Sequence, residues 1–179
     1  MTEVILRTTH TGDLAPQSLA AVRALVVAAF DGDFSADDWE HSLGGMHTML
    51  WLGDQVIGHA AVVQRRLLHG GRALRTGYVE GVAVHRDHRR RGHAGTLMRE
   101  VERLVGGAYD IGALSASDAA AELYAARGWQ RWQGPTSVLT AHGPERTPDD
   151  DGGVYFLAAA GSVDLAGPVA CDWRDGDVW

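Results

Sequence analysis

The chain has 179 residues, of which 45% are apolar, and its mean hydropathy is −0.14. This length suits one domain with a core of its own, and we expect a single domain over residues 1–179. No uninterrupted apolar run approaches the roughly 20 residues that a membrane-spanning helix needs, and residues 1–4 lack the start of a secretory signal. We therefore expect a cytoplasmic protein with no membrane partner.

Charge is distributed unevenly along the chain. The net charge is −7 and all 16 basic residues are arginine. Acids concentrate in residues 31–40 and 145–177, whereas arginines cluster only in residues 86–91. Nucleic-acid binding needs a broad basic surface, so we expect no nucleic-acid partner. One anionic ligand at the arginines and one cationic ligand at the acids would fit this pattern, although solvation of acidic loops also explains the second feature.

Apolar periodicity and turn signals predict an α/β chain. Ser35 and Asp38 form a capping box that predicts a helix start, and Gly70-Gly71 predicts a hairpin turn. The predicted order is strand 3–9, helix 16–30, helix 35–43, strands 46–52, 55–68 and 72–84, a helix after Gly92, strand 109–115, helix 117–127, and strands 136–140 and 154–157.

The segment from Tyr78 to Leu104 is the most informative part of the sequence. An apolar strand ends in a turn rich in arginine and glycine, and a helix begins after Gly92. This order suits phosphate binding, because free N–H groups and the helix dipole at a helix N-terminus favour an anion. Neither the dinucleotide-binding fingerprint nor the P-loop pattern is present.

Arg89-x-x-Gly92-x-Ala94, preceded by Val82-Ala83-Val84, resembles the acetyl-CoA signature of the GNAT N-acetyltransferases. A solvated basic turn that caps a helix is the competing interpretation. The resemblance implies the GNAT fold, a mixed and mostly antiparallel sheet flanked by helices, with acetyl-CoA as cosubstrate. The implied acetyl-CoA-binding residues are Val82, Ala83, Val84, Arg89, Arg90, Arg91, Gly92, His93, Ala94, Gly95 and Tyr124.

Acetyl transfer to an amine requires a base, a donor that polarises the thioester and an acid for the leaving thiolate. Glu80 is the only carboxylate in the apolar run, so we predict that it accepts the amine proton, unless it forms an ion pair with an arginine. Gly81 beside it indicates a bulge. The resemblance implies that a backbone N–H near Val82 polarises the carbonyl. It also implies that Tyr124 protonates the sulfur, although a core tyrosine is an alternative.

Other chemistry is weakly supported. The nine histidines are scattered without the spacing of a known metal site, so we expect no metal. Cys171, the only cysteine, excludes an internal disulfide and lacks a recognisable catalytic context.

Several further motifs recur together along the chain: Asp31-Gly-Asp33-Phe34, Asp38-Trp39-Glu40-His41, Gly77–Val84, Leu123–Trp129, Arg146–Gly152 and Cys171–Trp179. Together they resemble the aminoglycoside 2′-N-acetyltransferases, and this narrower resemblance covers the chain from about residue 27 to its end. It implies a polycationic aminoglycoside as substrate and a homodimer. We keep open two alternatives, a GNAT enzyme acting on another polyamine or amino sugar and a non-catalytic binding module. The implied substrate contacts are Asp33, Glu80, Ser115, Asp150, Asp177 and the carboxylate of Trp179.

Overall fold

The computed structural model describes residues 3–179. Its helices and strands alternate in an α/β order, with four short 3-10 turns between them. The elements are β1 (Val4–His10), α1 (Pro16–Ala29), α2 (Ala36–His41), β2 (Met46–Leu52), β3 (Gln55–His69), β4 (Arg72–Val84), α3 (His93–Ala108), β5 (Ile111–Ser115), α4 (Ala121–Ala125), β6 (Gln130–Arg131), β7 (Thr136–Thr140), β8 (Gly143–Arg146), β9 (Val154–Ala158) and β10 (Val169–Cys171).

These residues form two compact units. The first unit takes residues 3–63 and 79–103, and the second unit takes residues 64–78 and 104–179. Strands β3 and β4 each pass from one unit into the other along the chain. Each unit is described by itself below.

In the first unit, β1, β2, β3 and β4 are neighbours in that order. Strands β1 and β2 pair antiparallel from Val4 opposite Leu52 to His10 opposite Met46. Helix α1 begins with Pro16 at its first position, where the missing N–H costs no helical hydrogen bond. Its buried face packs into an apolar cluster made of Val22, Leu25, Val26, Trp39, Met49, Val56 and Ala83.

In the second unit, the strand order is β6-β9-β5-β4-β3-β10-β7-β8. The pairs β4–β5 and β10–β7 are parallel, whereas β5–β9, β6–β9, β7–β8 and β10–β3 are antiparallel. Gly112 makes room for an aromatic ring, since a Cβ there would lie 2.9 Å from the Trp129 ring. The buried Trp132 ring packs on Phe156 with centroids 4.5 Å apart.

Most of the predicted elements are confirmed, several of them to the residue. The Ser35–Asp38 capping box forms with both hydrogen bonds, and β7 has the predicted bounds. The predicted helix over 117–127 is wrong in part, because residues 118–120 form a 3-10 turn and α4 covers only Ala121–Ala125. Strands β6, β8 and β10 were not predicted. Within residues 3–179, no helix is long and apolar enough to cross a membrane.

Candidate active site

The first unit presents the predicted anion-binding turn at the start of α3. Gly92 has φ = 81°, a left-handed conformation that favours glycine, and its carbonyl accepts the first helical hydrogen bond, from the Thr96 N–H at 3.1 Å. Helix geometry therefore leaves the N–H groups of His93, Ala94 and Gly95 without intrahelical acceptors. Such groups at the end of a 16-residue helix are suited to an anionic ligand.

The arginines of this turn differ in what they contact. The Arg89 guanidinium donates from Nε to the Val84 carbonyl and from Nη2 to the Ala29 carbonyl, each at 3.1 Å. Arg89 thus ties the turn to the end of β4 and to the end of α1. Arg90 and Arg91 are exposed, and Arg90 has φ = 58°. Burial, together with the charges of His88 and Arg91, lowers the pKa of His93.

Strand β4 carries the predicted base. Glu80 is half-buried, and it lies between Val79, which is buried, and Gly81, which is half-buried. Gly81 has φ = 56° inside the strand, a left-handed conformation that favours glycine and suits the bulge that the sequence predicts there. Val82 is half-buried and Ala83 lies in the apolar cluster of the first unit. Val84 then ends the strand ahead of the turn.

A hydrogen-bonded pair of buried histidines supports the carbonyl of Gly81. His59 Nδ1 lies 2.8 Å from the Gly81 oxygen, and His59 Nε2 lies 2.9 Å from His47 Nδ1. His47 Nε2 lies 2.8 Å from the Thr11 hydroxyl. Burial, followed by the charge of His10, lowers the pKa of His47 to about 4. Burial, followed by the charge of His47, lowers the pKa of His59 to about 3.

Asp33 also belongs to the first unit. It is exposed in the turn between α1 and α2, and its N–H donates to the Phe30 carbonyl at 2.9 Å. Asp31 and Gly32, both with positive φ, shape that turn. Asp33 is therefore available for a ligand in solution but is not organised by a side-chain hydrogen bond among those seen in residues 3–179.

In the second unit, two of the predicted carboxylates lie close enough to interact. Asp150 is half-buried at the end of a 3-10 turn, and Asp177 is exposed. Burial, followed by the negative charge of Asp177, raises the pKa of Asp150, against a hydrogen bond from the Thr147 side chain. A cation between two such carboxylates would favour the ionised form of Asp150 and so oppose the rise in its pKa.

The segment after β10 is anchored beside these acids. Trp179 is only 3% exposed, and its indole N–H donates to the Thr147 hydroxyl at 3.0 Å. Arg174 donates to the main-chain oxygens of Asp177 at 2.8 Å and Trp179 at 3.0 Å. The Cys171 thiol donates to the Val178 carbonyl at 3.3 Å. The segment is therefore ordered, although Trp173 is exposed and does not contribute to the anchoring through burial.

Tyr124 lies in α4 of the second unit and is 5% exposed. Its ring packs near Trp129 and Tyr155, with centroids 6.2 and 6.0 Å away. Burial raises its pKa to about 12, so the phenol keeps its proton at neutral pH. Ser115 is exposed at the end of β5, opposite Val154 of β9.

Comparison with known proteins decides the family. Residues 13–132 match the Acetyltransferase (GNAT) domain family. The aminoglycoside 2′-N-acetyltransferase of Mycolicibacterium fortuitum is 52% identical over 177 residues, which cover 97% of this chain and 91% of that protein. This chain belongs to the aminoglycoside 2′-N-acetyltransferase family of GNAT acetyltransferases. Both resemblances seen in the sequence are confirmed.

Solved structures of other GNAT acetyltransferases share the fold. The GNAT family N-acetyltransferase YhbS of Escherichia coli, solved with CoA, matches with a TM-score of 0.69 and 19% identity, over 95% of this chain and 90% of its own. A GNAT acetyltransferase of Brucella melitensis, solved with acetyl-CoA, matches with a TM-score of 0.65 and 19% identity over 98% of both chains. The predicted GNAT fold is thereby confirmed.

Sequence reasoning missed the pair formed by His47 and His59. The nine histidines are scattered along the sequence, so spacing alone does not connect His47 with His59. The hairpin register contained the signal, because His47 pairs with Ala61 of β3, two residues from His59 and on the same face. Within residues 3–179, no group of three or more His, Cys, Asp or Glu side chains could hold a metal ion.

Proposed function

We propose that this chain transfers the acetyl group of acetyl-CoA to the 2′-amino group of aminoglycoside antibiotics, directly in a ternary complex, and so confers resistance. The observation that carries this proposal is the 52% identity to the Mycolicibacterium fortuitum enzyme over 97% of the chain. A similarity of that extent includes most of both acidic segments, where a polycationic drug would bind.

The residues of the first unit suit acetyl-CoA. The N–H groups of His93, Ala94 and Gly95 have no intrahelical acceptors, and Gly92 supplies the left-handed turn that leads into the helix. Arg90 and Arg91 add positive charge for the pyrophosphate, while Arg89 holds the turn. When bound, acetyl-CoA supplies the activated acetyl group as a thioester. The proposed binding residues are Val82, Ala83, Val84, Arg89, Arg90, Arg91, Gly92, His93, Ala94, Gly95 and Tyr124.

Three groups of the chain would act on protons and charge. Glu80 accepts the proton that the attacking amine loses, directly or through a water molecule. The Val82 N–H donates to the thioester oxygen as negative charge develops there. The Tyr124 hydroxyl protonates the CoA sulfur, and its pKa of about 12 means that the phenol carries the proton at neutral pH.

Carboxylates select the substrate in this proposal. Asp150 is half-buried and feels the charge of Asp177, so an ammonium group between them would stabilise both ionised forms. The anchored main chain at Trp179 contributes further oxygen acceptors. The proposed substrate contacts are Asp33, Glu80, Ser115, Asp150, Asp177 and Trp179.

Two alternatives make different demands on the chain. A GNAT enzyme acting on another polyamine or amino sugar would use the same base and acid but would not distinguish aminoglycosides by their 2′ group. A non-catalytic binding module would need neither Glu80 nor Tyr124. The proposal also includes a homodimer in the cytoplasm, one domain over residues 1–179, and no nucleic-acid or membrane partner.

The deciding experiment measures CoA-thiol release by the purified protein with acetyl-CoA and either of two aminoglycosides matched except at position 2′. We expect turnover with the 2′-amino drug and none with the 2′-hydroxyl drug. Equal turnover with both would reject the 2′ regiochemistry. Thiol release with neither would reject the aminoglycoside activity and favour another amine or a binding module.

A further inference from the structure

The histidine pair of the first unit forms one continuous hydrogen-bonded chain that ends at the candidate active site. His47 and His59 are both fully buried. The chain runs from the Gly44 N–H through Thr11, His47 and His59 to the carbonyl of Gly81, with successive distances of 3.0, 2.8, 2.9 and 2.8 Å. Buried polar groups in such a network have definite partners, because an unsatisfied one is costly.

Only one arrangement of protons satisfies the chain. The Gly81 oxygen can only accept, so His59 Nδ1 carries a proton and donates. The lowered pKa of His59 keeps the ring neutral, so its Nε2 accepts from a protonated His47 Nδ1. His47 is neutral for the same reason, so its Nε2 can only accept. The single proton of the Thr11 hydroxyl therefore goes to His47 Nε2 at 2.8 Å rather than to the Gly45 carbonyl at 3.2 Å. Every donor therefore points towards Gly81.

The carbonyl at the end of the chain belongs to the peptide whose N–H is that of Val82. A peptide unit is planar and trans, so a hydrogen bond that fixes the Gly81 oxygen also fixes the direction of the Val82 N–H on the opposite side. Donation to the oxygen also polarises the amide, which strengthens the N–H as a donor. This peptide lies in β4 directly after Glu80, and Gly81 itself has a left-handed φ.

Burial alone does not account for two histidines at these positions. Apolar side chains could fill the same space, since the neighbours Met49, Ile57 and Ala61 are all buried hydrophobics. Two imidazoles and a threonine are instead arranged in series towards one carbonyl. A positioning role explains both the number of polar groups and their common direction.

We propose that His59 and His47 are positioning residues that orient and polarise the Gly81–Val82 peptide, so that the Val82 N–H is presented to the thioester oxygen of acetyl-CoA. This inference rests on the acetyl transfer proposed above. It adds to that function two residues that touch neither substrate and act through a shared peptide.

The first test needs no turnover. NMR spectra of the wild-type protein labelled with ¹⁵N-histidine report the protonation of each ring nitrogen. We expect both buried rings to be neutral, with a proton on Nδ1 and none on Nε2. A proton on the Nε2 of His59, or a charged ring in either residue at neutral pH, would overturn the proposed direction of the hydrogen-bonded chain.

The second test compares substitutions that keep or remove the donor at residue 59. His59→Leu removes the donor to Gly81, whereas His59→Asn keeps an amide N–H near the position of Nδ1. We expect His59→Leu to lower kcat about 10- to 100-fold. This is less than the roughly 100- to 1,000-fold loss on removing a charge-stabilising donor outright, because the Val82 N–H is misaligned but still present. His59→Asn should recover most of the loss. KM for both substrates and the Kd for CoA should change less than about threefold, since ground-state binding is untouched.

A matched control separates positioning from folding. His69 also binds a backbone carbonyl through Nδ1, that of Pro168 at 2.9 Å, but in the second unit. His69→Leu should leave kcat within about twofold of wild type, and thermal melts should show that all three variants are folded. Wild-type kcat in folded His59→Leu would overturn the inference. If the wild-type protein shows no turnover, the proposed function is rejected instead. The NMR measurement of the tautomers still tests the hydrogen-bonded chain in that case. If His59→Leu does not fold, wild-type kcat in folded His47→Leu would overturn it.

Discussion

Adjacent carboxylates in the acidic segment have opposite environments. Asp151 accepts hydrogen bonds from the Thr136 N–H and hydroxyl at 2.8 Å each and pairs with Arg146, and these contacts lower its pKa. The pKa of Asp150 is raised instead, by burial and the charge of Asp177. Asp151 therefore stabilises the fold, whereas Asp150 has a charge that a cationic ligand can neutralise. Composition alone could not distinguish these two side chains.

The raised pKa of Asp150 makes the stability of the fold depend on pH. A carboxyl with a raised folded-state pKa binds its proton more readily in the folded chain than in the unfolded one. Its ionised form therefore destabilises the fold at pH values above the folded-state pKa, and this cost is absent below the unfolded-state value. A bound ammonium group offsets the cost, which links drug binding to a local gain in stability.

The proposed role of Tyr124 can be tested by removing its hydroxyl group alone. Tyr124→Phe should lower kcat about 10- to 100-fold because it removes the proton donor to the thiolate, with KM for the drug changed less than about threefold. The advantage of tyrosine over phenylalanine should persist between about pH 7 and about pH 9, because a pKa of about 12 keeps the phenol protonated there. Steady-state kinetics across that pH range measure both quantities.

Tyr155→Phe is the matched control for that substitution. Tyr155 is a buried neighbour whose hydroxyl accepts hydrogen bonds from Arg131 at 3.1 and 2.7 Å. Its loss should cost stability, about 1 kcal/mol, with little change in kcat. An equal fall in kcat in both variants would assign Tyr124 to the core rather than to proton transfer.

At the scale of elements, the turn before α3 shows how geometry separates arginines that the sequence presents as equals. Arg89→Lys keeps the charge but cannot reproduce the two hydrogen bonds to Val84 and Ala29. We expect this substitution to raise KM for acetyl-CoA about 5- to 10-fold, since loosening the turn costs roughly one hydrogen bond. KM for the drug should change little.

Arg91→Lys serves as the comparison, because Arg91 is exposed in the same turn and the lysine preserves its charge. It should raise KM for acetyl-CoA by less than about twofold. The measurement is acetyl-CoA saturation at a fixed drug concentration, together with a thermal melt of each variant. A larger effect at residue 91 than at residue 89 would show that the guanidinium of Arg91, and not the bracing of the turn, governs binding.

Elements with strong local signals were predictable, and those held by distant partners were not. Pro16 at a helix start and the Ser35–Asp38 capping box are local, and both were predicted correctly. Strand β10 has three residues and exists because it pairs with both β3 and β7, which are far away in sequence. The hydrogen bond between His47 and His59 was not predictable for the same reason, since the two side chains meet only through the β2–β3 register.

Some parts of the predicted site could likewise be recognised from the local sequence, and others depend on contacts between distant residues. The turn proposed to bind phosphate was recognisable from its glycine and arginines, and the left-handed backbone at Gly81 from one glycine beside Glu80. The anchoring of Trp179 by Thr147 and Arg174 joins residues that no spacing rule connects. The family resemblance implies that Trp179 contacts the substrate, and these hydrogen bonds explain why the residue is ordered.

For the whole molecule, charge is the property that governs substrate choice in the proposed function. The net charge is −7, and acids outnumber arginines most strongly in residues 31–40 and 145–177. Exposed ion pairs contribute roughly 0–1 kcal/mol each, so several carboxylates must act together for useful affinity. Binding of this kind weakens as salt shortens the Debye length, to about 8 Å at physiological ionic strength.

We therefore expect KM for an aminoglycoside with four amino groups to rise at least about threefold between low salt and about 0.5 M NaCl, while KM for acetyl-CoA changes less.

Asp150→Asn should raise KM for the drug about 5- to 10-fold at low salt and flatten its dependence on salt, because one half-buried charge is lost. Asp164→Asn removes an exposed acid of the same segment and should leave both values near those of wild type. Initial rates at a series of salt concentrations measure each KM. A KM that does not change with salt in the wild-type protein would mean that shape and neutral hydrogen bonds, not the acidic segments, select the drug.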